Sequence, residues 1–121
     1  MQDTDNIRSG FNGSLQFGQR PALLVVDFQR GFTEPALSPL ASDCTAAVLA
    51  TNPLIDAMRG LGPVIFTILG YDANLSDMGV WGRKCTSLET LKRNTAACEV
   101  DPRLAYDPAT DLLLQKTQAS A

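Results

Sequence analysis

The chain contains no histidine. That absence removes Ser-His-Asp and Cys-His catalysis from within these 121 residues. It also takes away the commonest zinc ligand. Cysteine is scarce and odd in number. Cys44, Cys85 and Cys98 show no paired spacing, which argues against a disulfide framework and for a reducing compartment. No cluster of thiolates or carboxylates stands in for the missing imidazoles, so neither a metal nor another cofactor is expected. Basic excess is missing as well. Ten Lys and Arg face thirteen Asp and Glu, for a net charge of -3. No cationic stripe is available for a phosphate backbone, and nucleic-acid binding is not expected. No apolar run is long enough to span a bilayer. The opening MQDTDNIRSGFNGS lacks the charged-then-apolar layout of a secretory signal. The cytoplasm is the expected compartment, with no membrane partner.

What is present reads as alternating strands and crossovers. Residues 1 to 19 are polar, with Gly10, Gly13 and Gly18, and read as an arm or loop that lies over a neighbour or stays mobile. PALLVVDF, residues 21 to 28, carries a continuous, partly β-branched apolar run that suits a strand buried on both faces. FTEPALSPLAS, with Pro35 and Pro39, reads as a loop. Ser42 or Asp43 is placed to cap a helix carrying Val48, Leu49, Leu54, Ile55 and Met58, which Pro53 should kink or split. Gly60 and Gly62 end it. PVIFTIL, residues 63 to 69, is the second buried strand. A long loop follows over residues 70 to 86, then a weak helical stretch from Ser87 to Arg93. An irregular DPRLAYDPATD leads into a third strand, DLLLQK, ending at Lys116.

This order predicts an α/β protein with a parallel, Rossmann-like sheet in a three-layer arrangement. One good helix cannot cover both faces of such a sheet. The domain of residues 20 to 121 is therefore expected to be incomplete in this chain, and a bare apolar edge would make it prone to association.

Position singles out two residues. Asp27 follows four apolar residues at the carboxyl end of the first strand, where open parallel sheets bind ligands. It reads equally as a catalytic carboxylate or as a cap for the following segment. Lys116 ends the third strand in the same manner. Alone it reads as a snorkelling surface lysine. If the strands are parallel, the two charges share one sheet edge and form an ion pair or a proton-handling pair.

RPALLVVDFQRGFTEP, followed by GPVIFT, DMGVWGRK, DPRL and KTQASA, resembles the isochorismatase-like hydrolase superfamily. The similarity is greatest to the branch of N-carbamoylsarcosine and maleamate amidohydrolases, and it runs from about Gly18 to Ala121. The resemblance implies an Asp-Lys-Cys triad. Its aspartate falls on Asp27 and its lysine on Lys116. Its nucleophilic cysteine follows a later strand and has no counterpart among Cys44, Cys85 and Cys98. It further implies that Phe32, Tyr71 and Trp81 wall the substrate, Trp81 serving equally well at a subunit interface. Arg30 and Gln29 are placed to orient a substrate carboxylate or Asp27 itself, a solvent-facing Arg30 reading equally well, and Arg83 with Lys84 reads as a solvated pair or an anion contact. The nicotinamidase branch holds a metal through an aspartate and histidines after the second strand. ILGYDANLSDMGVW has no histidine there, which favours the metal-free amidases.

Three readings follow. The first is an amidohydrolase acting on a small amide, with a C-terminal half-chain supplying the cysteine, whether joined or nicked at Ala121. The second is an isochorismatase-type ether hydrolase. The third is a non-catalytic half-domain that binds a partner. Assembly of identical subunits into dimers or tetramers is expected by resemblance.

Overall fold

The computed structural model describes residues 2–10 and 12–120. The three apolar runs form three strands: β1 (Leu23–Val26), β2 (Val64–Leu69) and β3 (Leu112–Lys116). They make one sheet in the order β1-β2-β3, and both pairings are parallel. The register pairs Val26 with Thr67 and Thr67 with Leu114. Paired residues of a parallel ladder share a face, so the register sorts the side chains into two sets.

One face, carrying Val25, Val64 and Phe66, is covered by the helix α3 (Thr45–Met58) through Val48 and Ile55. Leu104 and Tyr106 complete that packing, the tyrosine edge-on to Phe66 at 4.8 Å. Each large side chain buried there contributes about 1.5–3 kcal/mol. The opposite face is largely bare. Leu24 (48%), Val26 (42%), Leu112 (54%) and Leu114 (54%) remain exposed on it. One helix leaves a face uncovered, as expected. But β1, read as buried on both faces, is buried at Val25 alone, and on the helix-covered side Leu113 at the far edge stays 43% exposed.

A second core closes the carboxyl end of the sheet. Ile68, Leu69, Tyr71, Leu88, Leu91, Ala97 and Cys98 are buried together. It is built from the segment after β2, which includes the one-turn helix α4 (Trp81–Lys84) and 3-10 turns at Thr86–Thr90 and Ala96–Cys98. The long loop is therefore ordered, with backbone bonds from Tyr71 N to Leu91 O and from Arg93 N to Tyr71 O holding it to the strand end.

Several local expectations need correction. Pro53 does not split the helix: α3 runs unbroken through it. The proline deletes the bond to the Leu49 carbonyl, but both residues are exposed, so water can take the donor's place. The helix boundary falls at Cys44, while the Asp43 carboxylate accepts the Thr45 N–H at 3.0 Å. Gly60 ends the helix region at φ +82°, where a side chain would be strained. The segment expected as a loop after β1 begins with a helical turn, α2 (Arg30–Thr33). Within the segment expected as an arm or loop, residues 2 to 9 form the helix α1 (Gln2–Ser9), with Arg8 in its last turn complementing the helix dipole.

DPRLAYDPATD carries almost no regular structure, and its order comes from three polar side chains. Asp101 is 2% exposed and accepts from Thr33 Oγ1 (2.6 Å), Arg103 Nη2 (2.7 Å) and the Arg103 N–H (2.9 Å). Asp111 takes the Arg59 guanidinium and the Asp107 N–H. Asn52 donates to Arg103 O and accepts from Ala105 N, tying the segment to α3. Arg103, and next the Thr33 hydroxyl, hold the Asp101 carboxyl down at about 2, against an opposing effect of burial.

Two outcomes follow. Asp101 is bound as the anion, so it stabilises the fold above the ordinary carboxylate range and the benefit is lost as pH falls from about 4 towards 2. Asp101→Asn should lower stability at pH 7 by about 2 kcal/mol and flatten the acid limb of a denaturation series over that window. An unchanged acid limb would remove Asp101 as its source. Separately, the bare face predicts self-association of this chain by light scattering. A monomer that melts cooperatively would count against it.

Candidate active site

The three strands point the same way, so their carboxyl ends converge. At that end β1 stops abruptly: Asp27 takes a left-handed conformation, φ +60°. Such a conformation is costly for a residue with a Cβ and needs support. Asp27 N still donates to Thr67 O at 3.0 Å. Beyond it the chain leaves the ladder, and Gln29 fills the vacated place with its side chain. The Gln29 amide accepts from Leu69 N (2.6 Å) and donates to Leu69 O and Ala97 O (both 2.9 Å). Gln29 is fully buried. It therefore does not orient a substrate; its polar atoms are used on the backbone of β2 and of the Ala96–Cys98 turn.

Asp27 and Lys116, 89 residues apart, meet at this edge. Lys116 Nζ lies 3.0 Å from Asp27 Oδ2. The other carboxylate oxygen, Oδ1, accepts the Thr67 hydroxyl at 3.1 Å. Their side chains are 24% and 14% exposed, shielded enough to strengthen the pairing and open enough to be reached. Lys116 also donates to Gln118 O (2.9 Å) and Ala119 O (3.1 Å). Three acceptors match the three donors of an ammonium group, and the contacts fold the segment after β3 back over the strand end. The register puts Thr67 and Lys116 on the bare face of the sheet.

The other expected site residues are not gathered here. Arg30 is held by Glu34 (2.8 Å) and Glu99 (2.9 Å), so its guanidinium is occupied by protein carboxylates. Tyr71 lies inside the second core with no exposed surface, and its hydroxyl has no partner there. Burial, then the Asp77 carboxylate, raises its phenol above the ordinary range. It cannot form a substrate wall in this arrangement. Phe32 is half-buried against the same core. Trp81 opens α4 at 36% exposure, beside Val80 at 75%. Arg83 and Lys84 are exposed in α4.

Among the described residues, none of the three cysteines is hydrogen-bonded to Asp27 or Lys116. Cys98 donates to Leu69 O, and burial pushes its thiol up, the wrong direction for a nucleophile. Cys44 lies against Ser42 and the Phe32 carbonyl. Among the described residues no three His, Cys, Asp or Glu converge as a ligand set, and no helix is long and apolar enough to cross a membrane. A cavity of about 610 Å3 beside β3, lined in part by Ile68, Cys98, Tyr106 and Gln115, includes neither Asp27 nor Lys116.

Thr67 and Gln29 are the two residues whose part sequence reasoning did not foresee. Thr67 reads as one more β-branched residue in VIFTIL. The available signal was its hydroxyl, the only polar side chain in an otherwise apolar central strand.

Comparison with known proteins agrees with the fold. The isochorismatase domain model matches residues 21–121. Maleamate amidohydrolase of Pseudomonas putida is 32% identical, over the whole of this chain and 59% of its own length. N-carbamoylsarcosine amidase of an Arthrobacter species is 28% identical, over 93% of this chain and 44% of its own. The chain thus spans about half the length of these relatives. A cysteine hydrolase from Pseudomonas syringae pv. phaseolicola superposes with a TM-score of 0.72 at 25% identity, covering 88% of this chain and 52% of that one. An isochorismatase family protein from Desulfovibrio vulgaris, at 19% identity and a TM-score of 0.66, shares the fold. A parallel sheet with helices, in the arrangement of these neighbours and matched by the domain model from Pro21 onward, makes this chain a member of the isochorismatase family.

Proposed function

We propose that this chain carries the Asp-Lys part of a cysteine amidohydrolase acting on a small amide or N-carbamoyl substrate. A C-terminal half supplies the nucleophile. The observation that supports it most is the 3.0 Å Lys116–Asp27 pair at the converging strand ends. Its second oxygen is fixed by Thr67, and the group lies at the end of the sheet's bare face. A carboxylate prepared in this way can take a proton from a thiol placed opposite.

Sheet topology favours one position for that thiol. β1 is an edge strand, and a groove of about 240 Å3 runs along its free side, lined by Leu23–Val26, Phe28, Thr51 and Leu54. In doubly wound sheets the chain reverses direction at the first strand, so a later strand pairs on its open side. The carboxyl end of that strand would lie beside Asp27. Covering Leu24, Val26, Leu112 and Leu114 would contribute about 1 kcal/mol apiece, so completing the site and completing the core are one event.

In the reaction, Asp27 accepts the thiol proton and the thiolate attacks the amide carbon. The C–N bond breaks as Asp27 returns the proton to the leaving ammonia or amine. Water then cleaves the thioester and restores the thiol and the carboxylate. Lys116, with its donors occupied, acts through its charge and by holding Oδ2. Half-buried Phe32 and exposed Trp81 are the remaining candidates to border the substrate. The reading extends to a cytoplasmic protein that assembles from identical subunits.

Asp27→Asn should lower turnover of maleamate or N-carbamoylsarcosine by about 10²–10⁴-fold, and Lys116→Met should do likewise. Parental activity in Asp27→Asn would remove the carboxylate from the mechanism. The 121-residue chain alone should release no ammonia from either compound. Hydrolysis by it would overturn the assignment of the nucleophile to a second half.

A further inference from the structure

We propose that Thr67 is a positioning residue for Asp27. The proposal rests on Asp27 acting as the proton acceptor argued above. Thr67 sits in β2, the central strand, at 3% exposure among Phe66, Ile68 and Leu69, all buried. A hydroxyl at such a site must be hydrogen-bonded or it destabilises the fold. The ordinary arrangement would satisfy it locally, on its own strand. Here it both donates to and accepts from one residue just past the end of another strand. Thr67 Oγ1 donates to Asp27 Oδ1 at 3.1 Å and accepts from the Asp27 N–H at 3.3 Å.

This double contact does two things at once. It supports the left-handed turn at Asp27, a φ of +60° that aspartate adopts more readily than most residues but still at a cost. It also fixes the rotation of the carboxylate. With Lys116 on Oδ2 and Thr67 on Oδ1, two of roughly four acceptor positions are taken. The carboxylate plane cannot turn without losing one of them. The remaining lone pairs keep a fixed direction, as a proton transfer over hydrogen-bond distance requires. Thr67 touches neither thiol nor substrate in this scheme and works only through Asp27.

The test uses Thr67→Val, which keeps the branched shape and deletes the hydroxyl, with Thr67→Ser as the rescue. In the two-part enzyme, Thr67→Val should lower kcat on maleamate or N-carbamoylsarcosine by about 10- to 100-fold, the loss expected for one hydrogen bond to a charged group. KM should stay within about twofold, and Thr67→Ser should restore most of kcat. The 13C resonance of the Asp27 carboxylate should move in Thr67→Val and return towards its original position in Thr67→Ser. A kcat in Thr67→Val equal to that of the parent, or an unmoved carboxylate resonance, would overturn the proposal. If Thr67→Val fails to fold, failure of Thr67→Ser to keep both kcat and the resonance near those of the parent would do so. Parental turnover by Asp27→Asn would instead remove the reaction assigned to Asp27, while the resonance would still decide the contact.

Discussion

The parallel pairing of β2 with both of its neighbours is the constraint on which everything else rests. Because β1 and β3 run the same way beside one central strand, residues separated by 89 positions finish at one edge without any special loop. Had either outer strand been antiparallel, Asp27 and Lys116 would lie at opposite ends of the sheet. The same pairing sorts the side chains by face. It puts Val25, Val64 and Phe66 under α3 and leaves Leu24, Val26, Leu112 and Leu114 open. Site and bare surface are therefore two results of one topology.

Much of this was legible in the sequence. LLVV, VIFTIL and LLLQK carry the continuous apolar character of strands in a parallel sheet, and all three form. Asp27 and Lys116 stood out because a charge directly after such a run can only sit at a strand end. Residues whose roles depend on distant partners were not legible. Gln29 follows Asp27 by two positions and looked available to a substrate, yet its amide is used on Leu69 and Ala97. Arg30 looked free, but Glu34 and Glu99 occupy it. The second of these is 69 positions away, beyond any local pattern. Tyr71 sits in a segment that reads as a long loop, with the tyrosine expected to border a substrate. Its burial comes from Leu88 and Leu91 folding back across it.

Pro53 shows the opposite kind of error, in which a strong local rule was outweighed. A proline inside a helix removes one donor, but the cost depends on whether the orphaned carbonyl meets water. With Val48 and Ile55 both fully buried against the sheet, packing keeps the helix continuous across a position that propensity alone would break. In the DPRLAYDPATD segment the reverse holds. No periodicity predicts order there, and the order comes from Asp101, Asp111 and Asn52, each serving several backbone or side-chain donors.

Gln29 stands where a strand ought to continue, so the sheet's last rung is a side chain instead of main chain. A peptide group offers one donor and one acceptor by construction. An amide side chain offers the same pair, with one further donor, only while its nitrogen remains. Glutamate has nearly the same outline, but a carboxylate there would present acceptors to the carbonyl oxygens of Leu69 and Ala97 in a space closed to water. Position 29 is thus selected by proton inventory rather than by size. Hydrolysis of that one buried amide would take away the donor to Leu69 O and Ala97 O just beyond the Asp27 turn, with hardly any change in molecular volume.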